Sequence, residues 1–137
     1  MYDTVLLPTD GSEGGKRAER TGLALAEQFD AEIHAMHVID TRHHSEPALS
    51  TMELVTDEAE SEAMALLEEI IEEGTERGLD VASRCCHGVP HEEIVAYADE
   101  IDADVIVMGY RGHTHDRKMG SVVDRVLHAV DRQVLAV

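Results

Sequence analysis

The chain has 137 residues, 43% hydrophobic but only 3% aromatic, enough for a single domain with a core of Val, Leu, Ile, Ala and Met and too few for a second. Twenty-nine Asp and Glu against eleven Lys and Arg give a formal charge of −18, a field that repels nucleic acid and anionic lipid. No apolar run reaches the roughly 18 residues of a membrane span, and Met1-Tyr2-Asp3-Thr4 lacks the basic, apolar start of a signal peptide, so the expected location is the cytoplasm.

Thr4-Val5-Leu6-Leu7-Pro8 is a short apolar run that predicts a buried strand. Ser12 offers a helix N-cap, and Ala18, Gly22, Leu25 and Phe29 follow at helical spacing as one buried face. Residues 32–39 read as a second strand. Residues 40–50 have no periodicity and read as a loop. A long helix is predicted over 58–73, with Ala59, Ala63, Leu66, Leu67, Ile70 and Ile71 facing the core, glutamates covering the solvent side, and Gly74 or Gly78 ending it.

Residues 79–86 read as a third strand. It carries the only two cysteines, Cys85 and Cys86, whose side chains must point to opposite faces and so stay unbridged, as reduced thiols. Pro90 suits a first helical position, with Ile94, Tyr97, Ala98 and Ile101 apolar behind it. Asp104-Val105-Ile106-Val107-Met108-Gly109 is apolar on both faces, as a central parallel strand must be. A loop precedes a helix bearing Val122, Val123, Val126, Leu127 and Val130, and residues 133–137 close as a strand. Alternating strands and helices specify an α/β fold: a three-layer α/β/α, Rossmann-like domain on a five-stranded, mostly parallel sheet.

In such folds ligands bind at the carboxyl ends of strands where the strand order reverses. Two strand ends carry unusual residues. One is Pro8-Thr9-Asp10-Gly11-Ser12. The other runs from Gly109 to Ser121 and has the parts of a phosphate cradle. Gly109 and Gly112 allow close backbone approach, and Gly120-Ser121 opens a helix whose free N–H groups favour an anion. Arg111, Arg117 and Lys118 fall within eight residues of each other, beside His113 and His115. The alternative is a solvent-exposed turn with a helix cap at Ser121. The chain lacks a P-loop, a dinucleotide G-x-G-x-x-G after its first strand and a G-x-S-x-G elbow. Its nine histidines show no convergent set of three or four metal ligands: His34 and His37 should face opposite sides of one strand, and His113 and His115 imply no third partner.

These residues resemble the universal stress protein family. The similarity runs end to end and is carried by Pro8-Thr9-Asp10-Gly11-Ser12, Met36-His37-Val38-Ile39-Asp40, Gly88-Val89-Pro90 and, above all, Ala103-Asp104-Val105-Ile106-Val107-Met108-Gly109-Tyr110-Arg111-Gly112. The resemblance implies an adenine nucleotide alpha hydrolase-like fold and binding of ATP, or of ADP or AMP. Pro8, Thr9 and Asp10 would line the adenosine pocket, and the Val38 backbone would read the adenine edge. Gly109, Arg111 and Gly112 would hold ribose and the first phosphates. Gly120, Ser121 and Val122 would donate to the outer phosphates, which would themselves hold Mg²⁺. The ATP-binding branch spaces its G-x-x-G and G-[ST] by nine residues; here seven separate Gly112 from Gly120, which shortens the flap over a triphosphate.

The resemblance also implies a homodimer through residues 134–137, an apolar terminal strand whose edge seeks a partner. The expected function is that of a stress-response regulatory module that binds nucleotide, with at most slow ATP hydrolysis. The alternatives are a dimeric interaction module that has lost the nucleotide, or an adenylyl-transferring or flavin-linked enzyme on a similar fold. With Lys16 and Lys118 as the only lysines, the acid-rich surface also suits a protein living in concentrated salt, where screening relieves self-repulsion; an ordinary acidic protein is the alternative.

Overall fold

The computed structural model describes residues 2–41, 49–111 and 119–137, with the backbone alone over 49–56. The elements alternate as expected: β1 (Thr4–Pro8), α1 (Glu13–Phe29), β2 (Glu32–Asp40), α2 (Leu49–Glu76), β3 (Val81–Gly88), α3 (Pro90–Ile101), β4 (Val105–Met108), α4 (Ser121–Ala129) and β5 (Gln133–Ala136). The five strands form one sheet in the order β3-β2-β1-β4-β5, with every neighbouring pair parallel. β1 pairs with β2 from Thr4 opposite Glu32 to Pro8 opposite Met36, and with β4 through Val5 opposite Val105 and Leu6 opposite Ile106. The chain steps outward from β1 to β3, then returns to β1's other side as β4. The sheet's order therefore reverses between β1 and β4, and a crevice opens there at the carboxyl ends.

Strand alternation divides the core in two. Val5, Leu7, Ile33, Ala35, Val105 and Val107 pack against Ala18, Leu23 and Ala26 of α1 and Leu67 and Ile70 of α2. Leu6, Met36, Ile106 and Met108 pack against Ile94, Tyr97 and Ala98 of α3 and Val123 and Val126 of α4. Cys85 joins the first cluster and Cys86 the second, and both are unbridged. Among the described residues no helix is long and apolar enough to cross a membrane.

The structure corrects several expectations. α2 begins at Leu49, inside the expected loop and nine residues before the predicted start. No glycine or proline interrupts 49–73, and the spacing Leu49, Met52, Val55, Ala59 extends the apolar stripe upstream. Gly74 does not end this helix: it is buried, and a Cβ there would lie 2.4 Å from Val81 Cγ2. The chain turns at Gly78, whose φ of +78° is left-handed. In α1 the buried face is Ala18, Gly22, Leu23 and Ala26, with Leu25 only partly covered. Phe29 is 38% exposed and meets the Tyr2 ring edge-on, centroids 5.1 Å apart, instead of joining the core. In α4, Val123 and Val126 are buried, whereas Leu127 stays 37% exposed.

Candidate functional site

One wall of the crevice is the turn that joins β1 to α1. Thr9 is buried and all of its polar groups are held. Its N–H donates to the Met36 carbonyl (2.8 Å), its hydroxyl to Glu19 Oε1 (2.8 Å), and its carbonyl accepts from His37 Nδ1 (2.7 Å). The next residues close a local network in which Asp10 Oδ1 accepts from both the Ser12 backbone N–H and the Ser12 hydroxyl. Ser12 Oγ in turn accepts from Gly15 N (3.0 Å) and caps α1 as expected. Gly11, at φ +78°, supplies the left-handed step of this turn. Burial raises the pKa of the Glu19 carboxyl above the ordinary carboxylate range, opposed by the Thr9 hydroxyl bond and assisted by the nearby Glu69.

The opposite wall is the end of β4. A Cβ on Gly109 would lie 2.5 Å from the carbonyl carbon of Gly14, and a Cβ on Gly14 would lie 1.8 Å from the Arg111 carbonyl oxygen. The strand end and the first turn of α1 therefore touch backbone to backbone. The bare Cα at Gly109, expected to admit a ligand, is already required by this packing. The chain then returns to Gly120, whose N–H donates to the Tyr110 carbonyl (2.7 Å) and whose carbonyl accepts the first α4 bond, from Asp124 N (3.1 Å). Gly120 is the N-cap and contributes no side-chain cap. The first-turn N–H groups of Ser121, Val122 and Val123 thus precede the helical ladder and point out of the helix end, where the dipole is positive.

Between the walls lies a crevice of about 330 Å³. Met36, Ile94, Met108 and Val123 give it an apolar lining, and Thr9, Asp10, Ser12, His37 and Asp40 give it a polar one. Of the site residues expected from sequence, Pro8, Thr9, Asp10, Val38, Gly109, Gly120 and Val122 all line it. Arg111 and Ser121 do not: Arg111 meets Gly14 through its backbone carbonyl, and Ser121 is exposed at the start of α4. Gly112, Arg117 and Lys118, with His113 and His115, lie outside the described residues. Sequence reasoning missed His37, Asp40, Pro90 and Ile94. Their signal was position, at the carboxyl end of β2 and the start of α3. His34 and His37 do take opposite sides of β2: His34 Nδ1 bonds Tyr97 OH at 2.9 Å on the α3 side, while His37 reaches Thr9 on the other.

The model of the universal stress protein family matches residues 1–137. The chain belongs to the universal stress protein family. A universal stress protein of Methanocaldococcus jannaschii is 33% identical, over 100% of this chain and 82% of its own length. The solved structure of a second M. jannaschii universal stress protein, 31% identical, superposes with a TM-score of 0.84 over 100% of this chain and 96% of the other. A universal stress protein solved in complex with cAMP is 27% identical, with a TM-score of 0.76 over 99% of this chain and 97% of that one. The universal stress protein fold, a parallel sheet between two helical layers, is thus this chain's fold.

Proposed function

We propose that this universal stress protein binds ATP, or the related ADP or AMP, in the crevice between the carboxyl ends of β1 and β4, and acts in the stress response as a regulatory module. The observation that carries this reading is the crevice itself. An apolar lining of nucleoside size sits beside a helix start with no side-chain cap, which is the combination an aromatic base with an anionic tail requires. A relative of the same fold was solved with cAMP, which supports an adenine nucleotide in particular. In this reading the base lies against Met36, Ile94 and Val123 and is read at its edge by the Val38 backbone. Pro8, Thr9 and Asp10 close over the nucleoside, Gly109, Arg111 and Gly112 hold ribose and the first phosphate, and Gly120, Ser121 and Val122 donate to the outer phosphates. Mg²⁺ is held through those phosphates. Asp10 Oδ1 already accepts two bonds from Ser12, an arrangement suited to building a rigid wall rather than to activating water.

Calorimetric titration of ATP with Mg²⁺ tests the reading. Gly120→Val abolishes binding by obstructing the phosphate. Ser121→Ala costs one charge-assisted hydrogen bond, on the order of 1.5–3 kcal/mol. Arg117→Ala with Lys118→Ala weakens binding only several-fold in molar salt, where long exposed cations are screened. Loss of binding in the double variant with retention in Gly120→Val contradicts the proposed cradle.

A second reading, a dimeric interaction module without nucleotide, is favoured by the short spacing between Gly112 and Gly120 and by the open edge of β5, where Leu135 is 40% exposed. Strand pairing across that edge also accompanies the nucleotide-binding reading. The two readings separate on nucleotide binding, not on oligomeric state.

A further inference from the structure

The crevice poses an electrostatic problem for an anion. Among the described residues no lysine or arginine lines it, whereas Asp10 and Asp40 do, and the chain as a whole carries a formal charge of −18. A cation in this chain has carboxylates to choose from, with 29 Asp and Glu for 11 Lys and Arg. Arg77, Arg84 and Arg132 take them: Arg77 pairs with Glu27 and Glu73, Arg84 with Glu100, and Arg132 with Asp99 and Asp102. Arg17 and Arg20, one turn apart on α1, form no ion pair among the described residues. Their neighbour Lys16 acts on the Glu19 carboxylate. Arg17 is half-buried and Arg20 is exposed. Arg17 Nη2 lies 3.4 Å from the point that a Cβ on Gly14 would occupy, the same point that overlaps the Arg111 carbonyl oxygen. The guanidinium therefore stands at the seam where α1 meets the end of β4. Gly15 on the α1 side of that seam and Gly109 on the β4 side both line the crevice. Two uncommitted positive charges thus stand at its rim, outside its lining.

We propose that Arg17 and Arg20 form a cationic rim that draws polyphosphate to the crevice by charge and grades affinity by phosphate number, favouring ATP over ADP and AMP. This rests on the nucleotide reading above. The rim needs no hydrogen bond to the ligand. Charges within a Debye length, about 10 Å at 0.1 M salt, still attract across water, and a local field of one sign concentrates the oppositely charged ligand against the sign of the whole molecule. Without Mg²⁺, each added phosphate adds charge for the rim to act on.

Calorimetric titrations of AMP, ADP and ATP without Mg²⁺ test this at about 0.1 M salt, with sucrose present to hold the fold. Wild type should bind ATP more tightly than AMP. Arg17→Gln with Arg20→Gln should weaken ATP about three- to tenfold and AMP distinctly less, and the difference should fade at about 1 M salt. Arg17→Lys with Arg20→Lys keeps the charge without the planar fork and should keep the wild-type ranking. Gln28→Glu with Thr75→Glu lowers the net charge by the same amount at two exposed positions in the last turns of α1 and α2, at the other end of the sheet, and should change the ranking little. Equal weakening of AMP and ATP by the Gln pair, or a loss as large in the Gln28 and Thr75 variant, overturns the rim. So does a Lys pair that behaves like the Gln pair. Wild type that binds ATP only with Mg²⁺ overturns the rim and leaves the nucleotide reading standing. Wild type that binds no adenine nucleotide with or without Mg²⁺ overturns both.

Discussion

Gly109→Ala is the sharpest test of how the site is built. The added methyl carbon would sit 2.5, 2.7 and 2.9 Å from the carbonyl carbon, oxygen and Cα of Gly14. Carbon atoms settle at about 3.5–4.0 Å, so β4 and the first turn of α1 must separate by about 1 Å. The obstacle is backbone at the capped end of a helix, not the flexible tip of a side chain, so relief requires moving α1 or breaking the Ser12 cap. Overpacking costs about 1–3 kcal/mol where side chains can give; against backbone, about 3 kcal/mol or more is expected. Gly78→Ala is the control. Gly78 has φ +78° and no atom within 4 Å of a new Cβ, so it carries only the left-handed penalty of about 1–2 kcal/mol. Chemical denaturation of both variants, in buffer with enough salt to screen the acidic surface, gives the comparison. If Gly109→Ala proves as mild as Gly78→Ala, the backbone contact between β4 and α1 is wrong, and a ligand-only role for Gly109 returns.

Asp104→Ala should destabilise the fold by about 1–3 kcal/mol, because Asp104 Oδ2 accepts from the N–H groups of Asp3 (2.8 Å) and Thr4 (2.9 Å) at the start of β1; a change below about 0.5 kcal/mol in the same denaturation assay would show that water replaces it. Glu19 holds its proton more tightly in the folded state than in the unfolded chain, so its contribution is fully present only below the ordinary carboxylate range and is lost as pH rises from that range through the raised value. Glu19→Gln keeps an acceptor for Thr9 while removing the charge, so its melting temperature should gain on wild type as pH rises from acid to neutral; parallel pH profiles would refute the assignment. Burial raises both thiols, assisted by Glu60 at Cys85 and Glu93 at Cys86, so alkylation by iodoacetamide at neutral pH should be slower than that of a free cysteine peptide; a faster rate would contradict the burial.

Much of this architecture could be read from local patterns. β1 and β4 are short runs apolar on both faces, which only buried parallel strands tolerate, and Pro90 and Ser12 mark helix starts by their own backbone chemistry. What escaped depends on contacts made across the sheet. Leu49, Met52 and Val55 continue the apolar stripe of α2, but Ser50, Thr51 and Thr56 between them are weak helix formers, so local propensity argues for a loop where the stripe argues for a helix. Helical spacing puts Phe29 on the buried face of α1, but spacing alone does not reveal which residues of the last turn the core covers. For Gly109 the sequence suggests only a ligand contact, and the packing against Gly14 is invisible because Gly14 is far away in sequence. The bracing role of His37 has no sequence signal, because its partner, the Thr9 carbonyl, lies 28 residues away and has no side-chain signature at all.

The central claim is that an adenine nucleotide occupies the crevice between β1 and β4, and amide chemical-shift mapping during titration with ATP and Mg²⁺ tests it most directly. The account predicts saturable shifts at Thr9, Val38, Gly109, Ser121 and Val122, with the opposite end of the sheet, at Thr4 and Asp104, unmoved. No shifts at millimolar nucleotide, or shifts confined to that opposite end, would contradict it.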